Sequence, residues 1–168
     1  MASITLKGNP CHTSGNLPAV GSKAPAFTLI GEDLSEQTLE SFAGKSVVIS
    51  IFPSIDTPVC ATAAKHFNEK AAALGNTVVV NVSMDLPFAA KRFCAAEGIE
   101  NVINLSSFRS NFGTDYGMEI TDGPLKGLFG RGIVVINESG EIVYNELVTE
   151  IADEPNYDAA LSAVAQTA

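Results

Sequence analysis

Positive charge is scarce in this chain: ten Lys and Arg stand against nineteen Asp and Glu, a formal net charge of −9. No Lys/Arg cluster exists to neutralise phosphates, which argues against nucleic acid and against an anionic membrane surface as partners. Long apolar runs are missing too, and no segment approaches the roughly 18 residues of a membrane span. Met1-Ala2-Ser3-Ile4-Thr5-Leu6-Lys7-Gly8 lacks the basic head and apolar core of a secretory signal, so the chain as written is expected in the cytoplasm. Cysteine is limited to three residues, too few and too spread for a disulfide scaffold. In a reducing compartment such isolated thiols are either inert or redox-active. There is no C-x-x-C, and the two histidines, His12 and His66, lie far apart, so nothing points to zinc. With low-complexity runs also absent, 46% apolar and 17% charged residues describe a compact protein. The 168 residues are expected to form one domain, 1–168, around one core.

What is present is organised around Pro53-Ser54-Ile55-Asp56-Thr57-Pro58-Val59-Cys60, which follows the apolar run Val47-Val48-Ile49-Ser50-Ile51-Phe52. This reads as a buried strand, a tight loop and a helix start. Thr57 has N-cap chemistry, Pro58 suits the first helical position, and Cys60 then stands at the third. Unpaired backbone N–H groups and the positive end of the helix dipole favour a thiolate there, and the thiolate is the nucleophile. Read alone, a buried cysteine is more commonly a core residue.

Around this turn the chain reads in order as follows. Residues 3–13 form a β-hairpin about Gly8-Asn9-Pro10, laid on the outside of the domain and carrying Cys11. A strand follows at 26–30, and 36–42 reads as a short helix. The helix from Pro58 runs to about Leu74, with Val59, Ala63, Phe67, Ala71 and Leu74 near one face. His66 lies about 240° around that helix from Cys60, too far to serve as its base, and reads as a surface residue. Thr77 to Ser83 is a β-branched strand of the sort buried on both faces. A helix then spans 86–97, with Asp85 as its N-cap, Gly98 as its stop and Cys94 inside it. Val102–Leu105 is a short strand, 108–117 a loop with a helical turn, and 123–128 an irregular, mobile connection. Strands at 132–136 and 142–147 form a hairpin through Asn137-Glu138-Ser139-Gly140. A last helix starts at Pro155, with Tyr157, Ala160, Leu161 and Val164 facing inward. This order gives a mixed central sheet flanked by helices, the thioredoxin-like fold of the α/β class. Gly44-Lys45-Ser46 imitates a phosphate loop, but Leu39 stands where the first glycine belongs and a strand follows instead of a helix.

Pro53-x-x-x-Thr57-x-x-Cys60 resembles the signature of the peroxiredoxins. The words Phe52 to Cys60, Asp85-Leu86-Pro87-Phe88-Ala89 and Thr121 to Leu128 are similar to the bacterial thiol peroxidase subfamily, of the atypical two-cysteine type. The resemblance covers nearly the whole chain, and it implies the roles that follow. Cys60 attacks a peroxide oxygen and becomes a sulfenic acid. Thr57 turns its hydroxyl toward the sulfur or the peroxide, and Pro53 keeps water off the sulfur. Arg131 sits beside the thiolate, favours its ionised form and grips the peroxide. Cys94 closes an intrachain disulfide with Cys60, which thioredoxin reduces.

The substrates so implied are hydrogen peroxide and organic hydroperoxides, with no metal or organic cofactor, and the partner is a second copy in a homodimer. Regions 108–117 and 121–130 are the expected dimer contacts. Since both cysteines sit on helices, local unwinding should accompany disulfide formation. Two other readings share the fold. A thiol–disulfide oxidoreductase needs C-x-x-C here, where Thr57 stands three residues before Cys60. A redox sensor would use the same thiols to change shape.

Overall fold

The computed structural model describes residues 1–71 and 73–167, and the side chains of Ala71, Gln166 and Thr167 lie outside that description. Among the described residues, nine strands form two sheets, accompanied by four α-helices. Strands β1 (Ser3–Leu6) and β2 (Asn9–His12) form the expected N-terminal hairpin, turning through Lys7 and Gly8 at φ 51° and 80°. Positive φ at both turn residues is what a two-residue hairpin matched to strand twist requires.

The large sheet contains β3 (Thr28–Ile30), β4 (Glu36–Thr38), β5 (Ser46–Ile51), β6 (Thr77–Ser83), β7 (Ile103–Ser106), β8 (Gly132–Ile136) and β9 (Ile142–Leu147), in the spatial order β4-β3-β7-β6-β5-β8-β9. Its centre, β7-β6-β5, is parallel, and β8, β9, β3 and β4 join antiparallel. Two crossovers build that centre: α1 (Pro58–Ala71) between β5 and β6, and α2 (Pro87–Glu97) between β6 and β7. Together with α4 (Tyr157–Thr167) they cover one face, where Val48, Val79, Ile133 and Val135 meet Phe67, Cys94, Ala160 and Val164. The other face, with Val47, Ile49, Val80 and Val134, is covered by Phe27, Phe42, Phe129 and the short α3 (Phe112–Asp115). Every residue of β5 is buried, Ser46 and Ser50 included, as a largely apolar strand covered on both sides requires.

Several boundaries differ from the sequence reading. Residues 36–42 are not one helix. Glu36–Thr38 pairs with β3, and only Leu39–Phe42 coil into a 3₁₀ turn, because β3 otherwise exposes an unpaired edge. The described part of α1 ends at Ala71, short of Leu74, so the inward placing of Ala71 lies outside the described residues. Its buried stripe is Cys60, Ala63, Ala64 and Phe67, with Val59 only half-buried. Leu86, not Asp85, occupies the N-cap of α2, followed by Pro87 at the first helical position; Asp85 is engaged elsewhere. Helix α4 starts at Tyr157, two residues after Pro155, because Asn156 takes the cap: its side-chain oxygen accepts from the Ala159 N–H at 3.0 Å. Irregular as expected, 121–130 is nonetheless closed by backbone hydrogen bonds between Ile120 and both Gly127 and Leu128.

Candidate active site

The turn after β5 is built before the thiol is placed. Asp85, half-buried beside it, accepts from Ser54 Oγ, from the Ile55 N–H and from Ser83 Oγ, each at 2.7 Å. One carboxylate thus ties the loop carrying Ser54 and Ile55 to the end of β6 and the entry of α2. The Thr57 N–H and hydroxyl both donate to the Ser54 carbonyl, at 3.2 and 2.9 Å, and the Thr57 carbonyl accepts from the Ala61 N–H at 3.0 Å. In this rotamer the Thr57 proton belongs to the turn, which leaves its oxygen as an acceptor. Pro53 is buried next to Phe52 and contributes no competing N–H.

Cys60 is fully buried in the first turn of α1. Arg131 reaches it through sheet register. Strand β8 runs antiparallel to β5 with Gly132 opposite Ile51, so the residue before β8 lands beside the loop that follows β5. The guanidinium donates from Nη2 to Cys60 Sγ at 3.2 Å and from Nε to the Ile151 carbonyl at 2.8 Å. Arg131 is 3% exposed, and among the described residues no carboxylate pairs with it. Its Nη1 is buried and has no hydrogen-bond partner among them either. A guanidinium keeps its charge in proteins, and a lone buried cation carries a desolvation penalty of several kcal/mol. Among the described residues, the one side chain that accepts a hydrogen bond from this guanidinium is Cys60.

Cys94 has a different setting. It is a free thiol, like Cys11 and Cys60, and 7% exposed. The Asn104 side-chain nitrogen donates to its sulfur at 2.9 Å and to Glu32 Oε1 at 3.0 Å, while the Asn104 oxygen accepts from Asn81 Nδ2 at 3.1 Å. Burial pushes the Cys94 thiol up from its ordinary value, the Asn104 hydrogen bond opposes that, and the Glu32 charge adds to it. A small cavity of about 10 Å³ lies between the loop after β5, the strands β6 and β7 and the start of α2, bordered by Phe52, Ile55, Asn81, Asp85 and Asn104. Outside it, a cleft of about 340 Å³ opens between the first turn of α1 and α2, framed by Ile55, Pro58, Ala61 and Phe93 with Asp56 and Arg92 at the rim. A larger cavity of about 1030 Å³ lies among Phe27, Leu39, Phe42 and Ile136 and touches none of these residues.

The family model that matches is the redoxin model, over residues 19–161. The chain belongs to the redoxin family. Within it, the chain is 61% identical to the thiol peroxidase of Mycobacterium tuberculosis over 164 residues, 98% of this chain and 99% of that one. The thiol peroxidase of Corynebacterium glutamicum is 51% identical over the same coverage. Among solved structures, the peroxiredoxin-like protein of Aquifex aeolicus superposes with a TM-score of 0.95 at 40% identity, covering 100% of this chain and 98% of that one. These relatives place this redoxin in the thiol peroxidase branch, as the motifs at 52–60, 85–89 and 121–128 imply.

Some site residues had no signal in the sequence reading of this redoxin. Ile151 contributes a backbone carbonyl, which no side-chain pattern announces. Asn81 and Asn104 were legible in principle, as amides inside otherwise apolar strands, because a buried amide needs partners. His66 is half-buried, stacked on Tyr157 at 4.0 Å, because α4 returns across α1; Tyr157 also meets Phe67 edge-on at 5.1 Å. Arg92 and Arg109 are exposed: Arg92 lies 3.8 Å from Asp56, and Arg109 rests over the Phe108 ring. None of the described helices is long and apolar enough to cross a membrane.

Proposed function

We propose that this redoxin reduces hydrogen peroxide and organic hydroperoxides through Cys60, resolves the product through Cys94, and is recycled by thioredoxin. The observation that carries this is the buried Arg131 guanidinium with no carboxylate partner among the described residues and 3.2 Å from the Cys60 sulfur. The cation faces the attacking sulfur, and its unpartnered Nη1 is a donor held in reserve for a substrate oxygen.

The Cys60 thiolate attacks one peroxide oxygen: an S–O bond forms, the O–O bond breaks, and the other oxygen leaves as hydroxide or alkoxide and takes up a proton. Donors fixed around the sulfur stabilise charge on that oxygen as the bond breaks. With its own proton given to the Ser54 carbonyl, the Thr57 oxygen can accept a hydrogen bond from the peroxide O–H, and Pro53 shields the sulfur. Cys94 then attacks the sulfenic sulfur. The S–S bond forms, the hydroxyl departs, and the proton that Cys94 surrenders completes a water. An external dithiol reduces the disulfide by exchange.

Because Cys60 and Cys94 are both buried on helices, we expect partial unwinding of α1 or α2 in each cycle. The Asp85 clamp ties the two elements and is the natural hinge. All of residues 1–168 act as one domain in this reading. A second copy is proposed to cover Leu86, Phe88 and Phe108, which are 50%, 64% and 39% exposed; the Ser106 hydroxyl, two residues before Phe108, donates to the Asp85 carbonyl beside Leu86. That assigns the homodimer contact to 108–117 and the start of α2. Three free thiols suit a reducing compartment such as the cytoplasm. A steady-state peroxide assay with thioredoxin as reductant tests the reading: Cys60→Ser should lose turnover, and retained wild-type turnover would overturn it.

A further inference from the structure

The hydrogen bonds that hold Arg131 do not stop at the catalytic turn, and resting on the peroxidase reading above, we infer that Glu150 is a positioning residue for Arg131, through which the N-terminal hairpin sets how firmly the guanidinium holds Cys60. The chain of contacts is continuous. Arg131 Nε donates to the Ile151 carbonyl, fixing the plane from which Nη2 reaches the sulfur. That carbonyl belongs to a four-residue turn closed by the Asp153 N–H donating to the Glu150 carbonyl at 2.9 Å. From inside the turn, the Ala152 N–H donates to Glu150 Oε1 at 3.1 Å. From outside, the Ile151 N–H donates to the Thr5 carbonyl at 2.9 Å, and the Thr149 carbonyl accepts from the Thr5 N–H at 2.8 Å.

The Glu150 carboxylate then gathers the hairpin itself: Thr5 Oγ1 at 2.7 Å, the Lys7 N–H at 2.8 Å and the Gly8 N–H at 3.0 Å. Three hairpin donors on one carboxylate fasten β1 and its turn to the segment that carries the Ile151 carbonyl, and the Ala152 N–H holds that carboxylate from the segment's side. Ile4 and Cys11 of the hairpin pack with Ile151 and Ile120 on the buried side. Glu150 forms no ion pair with Arg131 among the described residues, so its influence is geometric. Directional bonds of this kind weaken steeply off-axis, and a misplacement of about 1 Å at a catalytic group can remove about 10²-fold in rate.

The test is single-turnover reduction of hydrogen peroxide by the full-length reduced protein, followed across pH, with the thioredoxin-dependent reduction of the oxidised protein measured alongside. Glu150→Ala should lower the second-order rate with peroxide about tenfold and move its pH profile to higher pH, while the rate with thioredoxin stays at the wild-type value. Glu150→Gln, which keeps one acceptor oxygen, and Thr5→Val, which removes one donor, should shift both readouts in the same direction by less. If Glu150→Ala folds poorly, those two milder variants carry the test. Wild-type rate and profile in both would overturn the inference, as would a slower rate with an unmoved profile, the mark of a merely structural hairpin. Activity retained in Cys60→Ser would instead sink the peroxidase reading, whatever Glu150 does.

Discussion

Cys60 and Cys94 are buried thiols in the same apolar cluster, each on a helix and each accepting one N–H from a strand-side residue. They differ in what that donor carries. Cys60 faces a full positive charge that has no other counterion among the described residues. Cys94 faces a neutral amide whose other hydrogen is bound to a carboxylate. Burial raises the Cys94 thiol. A cation stands against the sulfur only at Cys60 of the two, and the proposed order of attack, Cys60 first and Cys94 second, rests on that difference.

The sharpest way to break the comparison is to exchange the cysteines for serine one at a time. Cys60→Ser should abolish turnover, a loss of at least about 10³-fold against the gains typical of covalent catalysis. Cys94→Ser should consume one equivalent of peroxide at the wild-type rate and then stop, visible as a burst without steady state. Removing the charge comes next. Arg131→Met should slow the single-turnover reaction with peroxide by about 10²–10³-fold, the range for deleting a donor aimed at developing charge, with thioredoxin-dependent reduction untouched.

Changes around Cys94 should act on its thiol in opposite directions. Asn104→Ala removes the bond that lowers it, so alkylation of Cys94 should require higher pH; it should also destabilise the fold by about 1–3 kcal/mol, because Asn81 is left unpaired. Glu32→Gln removes the charge that raises it, and the same alkylation profile should move to lower pH. The smallest effect concerns the hairpin in acid. Hydrogen bonds from Thr5, Gly8, Lys7 and Ala152 lower Glu150 to about 2 from an ordinary 4.5. A lowered carboxylate contributes stability that is present above its unfolded value and lost as pH falls through its folded one. The Tm gap between wild type and Glu150→Ala should therefore be full above about pH 4.5 and close toward pH 2.

Much of this was legible in the residues themselves. The β-branched runs at 47–51 and 77–83 announce a doubly covered parallel centre, and Thr57-Pro58 before Cys60 announces a helix start that presents a thiol. The word Asp85 to Ala89 marked the entry to α2, although propensity assigned Asp85 to capping when its carboxylate is used by Ser54, Ile55 and Ser83. Arg131 needed the resemblance, since only the pairing of β8 with β5 brings it to the turn. The Ile151 carbonyl and the Glu150 clamp were out of reach: a backbone acceptor has no sequence signature, and a hairpin at one end of the chain does not name its partner at the other. Residues 36–42 misled because a short polar strand and a short helix look alike until an edge to pair with is known.

The central claim is that chemistry begins at Cys60 because Arg131 stands beside it. The most direct measurement is to treat the reduced protein with one equivalent of hydrogen peroxide in the presence of a sulfenic-acid trap and map the adduct by peptide mass spectrometry. The adduct should form on the Cys60 peptide and disappear in Arg131→Met. An adduct forming first on Cys94 or Cys11, or one on Cys60 at an undiminished rate without Arg131, would contradict the account.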